Sequence, residues 1–309
     1  MKKVVITATV LSLGALSLGA AFAQSKGPIT VGSKIDTEGA LLCSMSKLLL
    51  EQAGFTVKDR CSTGTTPIVR KALLEGEIDL YPEYTGNIVY LLPEQKINPS
   101  IALSASKVYQ TARTLDKKVN NIVWLRPANA NNTWAIAIPQ KLAAAEKLKS
   151  LADLAKYINA GKTFKMAASQ EFADRDDGLK GFEKAYGFTV KPDQLVILPG
   201  GNTTQTETAA AQGTSGVNAA MAYGTDGAIA ALGLVALTDP KGGVAVYQPA
   251  ITVRGAVFAK YPELKTIIEP VFARLNAKTL SSLNGKISVG GESAAKVAGD
   301  WLKANKFLK

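Results

Sequence analysis

Tyr81, Pro82, Glu83 and Tyr84 stand in a row, with Thr85, Gly86 and Asn87 directly after them. An aromatic ring offers its negative face to a cation, and a carboxylate or amide beside it can complete a polar site. Similar mixtures recur in Asn131-Asn132-Thr133-Trp134, around Arg175, and in Tyr223-Gly224-Thr225-Asp226, while Lys34 stands early in the chain. The chain has no histidine, which excludes Ser-His-Asp and Cys-His nucleophiles, an HExxH zinc helix and an imidazole base. An exported hydrolase working through Glu38, Glu83 and Asp226 is the enzymatic alternative. Nothing in the sequence brackets two of these as glycoside hydrolysis requires.

These residues form a site only if the backbone gathers them. Residues 29–33 read as a strand, and 37–53 as a helix with Leu41, Leu42, Met45, Leu48 and Leu49 on one face and Gly54 as its stop. A second strand is expected over 55–60. Thr66 is expected to cap a helix with Pro67 at its first position and Gly76 at its end, and 78–81 to form a third strand. This β-α-β-α-β order predicts a parallel sheet with right-handed crossovers, whose ligands bind outside the carboxyl ends of the strands. Segments 33–38, 61–66 and 81–87 then share one edge of a crevice.

The second half repeats the pattern. Strands are expected over 134–138, 164–168, 196–198, 219–223 and 234–237. Helices are expected over 151–160 behind Ser150, 178–186 and 203–212, with a short one capped by Asp226. A strand over 250–254 and helices over 262–275, 277–284 and 293–305 complete an α/β chain. No repeat or Pro/Ser linker separates the halves, so the chain is expected to cross to a second lobe near 131–138 and return near 246–253. Residues 24–133 and 248–309 would form one lobe, and 134–247 the other.

Residues 1–23 read as a cleavable signal peptide: Lys2 and Lys3 precede an apolar run that ends in Ala21-Phe22-Ala23. Export to the periplasm is the expectation. No cysteine follows the cut, which argues against a lipid anchor. Losing the two signal lysines lowers the formal charge from +11 to +9. The remaining lysines are scattered, without interleaved aromatics, and read as a solvated basic surface rather than a nucleic-acid or membrane site. Cys43 and Cys61 are the only cysteines. In an exported protein they are expected to pair, with two buried thiols as the alternative and no metal site.

The runs VGSKIDTEGALL, GTTPIVRKAL, DLYPEYTGN, ANNTW, TSGVNAAMAYGTDG and LGLVALTDPKG resemble the osmoprotectant-binding proteins of ABC importers, in particular their periplasmic OsmF/YehZ branch. The resemblance covers essentially the whole mature chain. It implies a type II periplasmic-binding fold, two α/β lobes with a ligand cleft between them, and no catalysis. It also implies a small quaternary amine as ligand, and as partners a membrane permease with a cytoplasmic ATPase. A monomer without a cofactor is expected.

A trimethylammonium group cannot donate a hydrogen bond, so rings must recognise it, each contributing about 0.5–2 kcal/mol when desolvated. A ligand carboxylate needs a lysine, an arginine fork or helix N-terminal amides. By motif, the resemblance assigns Tyr84, Trp134, Tyr223 and Tyr247 to an aromatic cage. It assigns Lys34 and Arg175 to a ligand carboxylate, with Asn87 assisting. Many relatives have threonine at the position of Asn87 and tyrosine at that of Trp134. The acidic neighbours Glu171, Asp174, Asp176 and Asp177 could occupy Arg175 instead. Tyr81 reads as a buried strand residue, Glu83 as a hydrogen-bond partner and 63–66 as a helix cap. Glycine betaine is the expected ligand; choline, carnitine or another zwitterion, and a role as the ligand-reporting partner of a membrane sensor, are the alternatives.

Overall fold

The computed structural model describes residues 26–309 and Met1; the expected signal peptide lies almost wholly outside the described residues. Among the described residues ten strands follow in chain order: β1 (Pro28–Lys34), β2 (Thr56–Gly64), β3 (Leu80–Tyr84), β4 (Ile122–Trp124), β5 (Trp134–Pro139), β6 (Met166–Ser169), β7 (Leu195–Leu198), β8 (Ala219–Tyr223), β9 (Leu234–Ala236) and β10 (Pro249–Arg254). They form two five-stranded sheets ordered β2-β1-β3-β10-β4 and β7-β6-β8-β5-β9. The two orders are equivalent. Each sheet anchors one lobe.

The β-α-β-α-β run forms parallel pairs as expected, but each whole sheet is mixed. β1 pairs in parallel with β2 and β3, and β6 with β7 and β8, but β10 and β5 run antiparallel to both their neighbours. The reason is the crossing. β5 and β10 are the first strands after the chain changes sheet, so they start at the cleft and run away from it, whereas β3 and β8 run toward it. Their first residues therefore pair with the last residues of the neighbouring strand: Trp134 with Tyr223 and Pro249 with Tyr84.

β3 extends three residues beyond the expected end, through Pro82. Proline is poorly tolerated between two paired neighbours, but β1 pairs with β3 only at Leu80. Beyond that point one side of β3 is released, and Pro82 pairs only with Ile251 of β10.

Helix α1 (Thr37–Gln52) is capped by Asp36, whose carboxylate accepts the Gly39 N–H. Helix α2 (Thr66–Glu75) starts one residue earlier than expected: Thr65 is the cap residue, without a side-chain bond, and Gly76 ends the helix in the left-handed conformation. The expected Asp226 cap is also displaced. The short helix is Ala228–Ala231 with no side-chain cap, and Asp226 instead accepts the Tyr223 N–H.

The face of the first sheet that carries Ile29, Val31, Leu80, Ile251 and Val253 packs on α1 and on the helices Ala277–Ser288 and Ala294–Ala304. The other lobe uses alternation. Ala135, Ala137, Ala167, Ala220 and Ala222 form a small-residue face under Ala210 of the helix Thr203–Gln212, while Trp134, Ile136, Ile138, Met166 and Met221 fill the opposite face. Cys43 and Cys61 form a disulfide that ties α1 to β2. No helix among the described residues is long and apolar enough to cross a membrane.

Candidate functional site

The carboxyl ends of β1, β3 and β8 and the amino end of β5 meet at one cavity. Lys34, Tyr84, Asn87, Trp134, Arg175, Tyr223 and Tyr247 all line it, together with Ile35, Asp36, Gly64, Thr65, Thr66, Asn132, Glu171 and Gly201. Its volume is about 40 Å³, whereas one water needs roughly 10–15 Å³ on the same measure. The cavity is thus the size of a small solute. All three segments expected along the edge of the first lobe contribute to it.

Register explains why the rings converge. Pairing of Trp134 with Tyr223 at the mouth of the second sheet leaves their ring centroids 5.0 Å apart at 35°. Trp134 also packs on Phe172 at 5.0 Å, so its indole is held from behind. Tyr84 ends β3 on the first lobe, and Tyr247, on the return crossing, lies two residues before β10. Gly86 allows these two segments to close up: a Cβ there would lie 2.8 Å from the Val246 carbonyl oxygen and 2.9 Å from the Tyr247 ring. Tyr84, Trp134 and Tyr247 are nearly inaccessible and Tyr223 is half-buried. Burial pushes the phenols of Tyr84, Tyr223 and Tyr247 well up, so the rings stay neutral.

Both cations reach the cavity already paired. The Lys34 ammonium donates to Glu83 Oε1 at 2.8 Å and lies 4.4 Å from the Tyr84 ring centroid. Glu83 is fully buried and accepts three more bonds, from the Tyr84 N–H, Asn87 Nδ2 and the Tyr81 hydroxyl. Burial pushes the Glu83 carboxyl up, but Lys34 and these donors outweigh it and hold it below its ordinary value. Lys34 retains two N–H groups that none of the bonds described among these residues uses.

Arg175 is more heavily engaged. It donates Nε and Nη2 to Asp177, Nη1 to Glu171 at 2.8 Å, and Nη2 to Asn87 Oδ1 at 2.8 Å. Its guanidinium stacks 4.0 Å from the Tyr90 ring centroid. Burial disfavours its charge, yet Asp177 and Glu171 raise its pKa further above the ordinary arginine value. Four of its five N–H groups are used by Asp177, Glu171 and Asn87. Of the four acidic neighbours named as rivals, Glu171 and Asp177 occupy the guanidinium, whereas Asp174 accepts from Gln170 and Asp176 pairs with Lys180; one N–H of Arg175 remains for a ligand. Asn87 links the lobes, donating to Glu83 on one side and accepting from Arg175 on the other.

Three lining residues carry no ligand assignment from the sequence. Asp36 and Glu171 give the cavity two carboxylates, and burial raises the Asp36 pKa. Asn132 lines the wall beside Tyr84. Asp36 was discoverable, since it lies within the segment placed at the strand edge. Glu171 was named only as a rival partner of Arg175. The hydrolase alternative gains nothing: Glu38, Glu83 and Asp226 do not line the cavity, and their oxygens accept bonds from neighbouring protein groups.

Residues 27–304 match the family described as the substrate-binding domain of ABC-type glycine betaine transport systems. The chain is 51% identical over 286 residues to the glycine betaine-binding protein YehZ of Escherichia coli K12, covering 93% of each. It is 29% identical over 306 residues to a glycine-betaine-binding protein of Pseudomonas aeruginosa PAO1, covering 96% of this chain and 94% of the relative. The solved structure of apo YehZ matches with a TM-score of 0.68 at 50% identity, covering 91% of this chain and 99% of that one. The chain belongs to the family of substrate-binding proteins of ABC-type glycine betaine transporters.

Proposed function

We propose that this protein captures a small quaternary amine, glycine betaine first, between its lobes and hands it to a membrane permease driven by a cytoplasmic ATPase. It acts as a monomer in the periplasm after removal of residues 1–23. The lobes are 24–133 with 248–309, and 134–247, hinged where the chain crosses at 131–138 and 246–253. The observation that carries this reading is the convergence of Tyr84, Trp134, Tyr223 and Tyr247, drawn from both sheets, on one small cavity. Neutral rings suit a cation that cannot hydrogen-bond. The free N–H groups of Lys34 and Arg175 suit the carboxylate. The two-sided site makes closure favourable only when a ligand, or its equivalent contacts, bridges the lobes.

A second reading, choline, has its own support. Lys34 and Arg175 are neutralised by Glu83, Asp177 and Glu171, while Asp36 adds a carboxylate to the wall. Such a wall favours a cation over a zwitterion. Calorimetric titration of the mature protein with glycine betaine, choline and carnitine decides between them. Saturable one-to-one binding of betaine, tighter than choline, supports the first reading; the reverse order supports the second. Absence of binding to any of the three rejects the quaternary-amine site.

A further inference from the structure

We infer that Glu38 is a positioning residue that fixes the spacing between the rings of the two lobes, although it does not line the cavity. The inference rests on the quaternary-amine reading of the cleft. Glu38 is the second residue of α1 and is buried. Its Oε1 accepts the Tyr84 hydroxyl at 3.1 Å. Its Oε2 accepts the Thr225 hydroxyl at 2.6 Å and Asn284 Nδ2 at 2.9 Å. Tyr84 ends a strand of the first sheet, and Thr225 lies two residues beyond Tyr223, which ends a strand of the second. One carboxylate therefore holds the ring of one lobe directly and the ring-bearing loop of the other through its hydroxyl.

Two neighbouring contacts leave that grip little slack. Asn284, on the helix Ala277–Ser288 that packs on α1, also donates to the Thr225 carbonyl at 3.0 Å. Gly227 lies against Gly285 of the same helix: a Cβ on Gly227 would fall 2.3 Å from Gly285 N and 2.4 Å from the Ser281 carbonyl oxygen. Asp226, the residue after Thr225, accepts the Tyr223 N–H at 2.7 Å, so a shift of Thr225 carries Tyr223 with it. Three donors meet two oxygens at Glu38, which suits an acceptor-only carboxylate; an amide would turn N–H groups toward one of those donors. Loss of Glu38 thus changes the width between the rings rather than their chemistry.

The test uses the mature protein and the variants Glu38→Gln and Thr225→Val, titrated with choline and with its triethyl counterpart. Each variant is expected to weaken choline binding about tenfold and leave the triethyl ligand within about twofold, so that head-size selectivity collapses. The double variant should be no worse than either single one. Equal weakening of both ligands, or unchanged selectivity, overturns the inference. A ligand-independent measurement separates it from the functional reading. Spin labels at Lys71→Cys and Lys191→Cys, both exposed and one on each lobe, should report a broader inter-lobe distance distribution in both variants, and an unchanged one rejects the clasp. Failure of the wild type to bind any quaternary amine rejects the proposed ligand class instead. If Glu38→Gln does not fold, Thr225→Val, which keeps side-chain volume, carries both readouts.

Discussion

Replacing Tyr223 by alanine isolates the contribution of one ring. Its phenol oxygen makes no side-chain hydrogen bond described among these residues, and its ring lines the cavity with the Trp134 ring 5.0 Å away. A desolvated cation over such a ring gains about 1–2 kcal/mol, equivalent to roughly a 5- to 30-fold change in Kd. Tyr223→Ala should therefore weaken glycine betaine and choline about tenfold alike, because both present the same head group. Tyr223→Phe keeps the ring and should bind within about twofold of wild type. Trp134 would be a poorer choice, since it packs between Phe172 and Tyr223 and its truncation would cost roughly 3–5 kcal/mol of stability. Isothermal titration, paired with a thermal melt to show that each variant is folded, measures the effect. A folded Tyr223→Ala protein with wild-type affinity would refute the cage. Equal losses in the Ala and Phe variants would show that the hydroxyl, not the ring, carries recognition.

Three further outcomes follow from buried groups and from the cross-link. Asp36→Asn keeps the cap on α1, because an amide oxygen can still accept the Gly39 N–H, but it removes a charge from the cavity wall. Choline should weaken by about tenfold, of order 1.4 kcal/mol, and glycine betaine by less, so an unchanged ratio of the two constants argues against Asp36 as a counter-charge. Reduction of Cys43–Cys61, separated by 18 residues, should lower unfolding free energy by about 3 kcal/mol on the loop-entropy account; denaturant titration with and without reductant would expose a smaller loss. Glu207 is buried without a donor of its own and faces Asp226, and burial first, then Asp226, raises its pKa. The native state then keeps a proton that the unfolded chain loses above pH 4.5, so this group's contribution to stability is greatest below that pH and falls as pH rises toward the folded value. Glu207→Gln, which mimics the protonated form, should match wild type near pH 4.5 and become progressively more stable than it as pH rises to 8; melting curves that stay parallel across this range would contradict the sharing of a proton.

Much of the fold is written in short-range signals. The strand over 219–223 and the helix over 203–212 are read at their observed ends, because an apolar run and a helix bounded by Asn202 and Gly213 punctuate themselves. The helix Ala105–Asn120 and β4 have no counterpart among the sequence expectations, although they bury a long-range cluster in which Arg70 and Trp124 both bond Asp116. Only one of those partners lies close in sequence to Asp116, so local periodicity gives no hint of the cluster. The direction of β5 and β10 was equally hidden: strand pattern reports which residues face a core, not from which lobe the chain arrives.

The same crossings explain why the site's residue types were legible while their partners were not. A tyrosine at a strand end is visible in the sequence, and the rule that ligands bind at the carboxyl edge places it. Lys34 and Arg175 are visible too, but the carboxylates that meet them lie 49 residues away in one case and 2 and 4 residues away in the other. In both cases burial decides the pairing. A solvated Lys34 would be a free clamp for a ligand carboxylate, whereas with Glu83 at 2.8 Å its charge is already committed and only its remaining N–H groups can recognise the ligand. Selectivity between zwitterion and cation therefore depends on how many carboxylates the fold buries around two cations, a quantity set by the meeting of the two sheets.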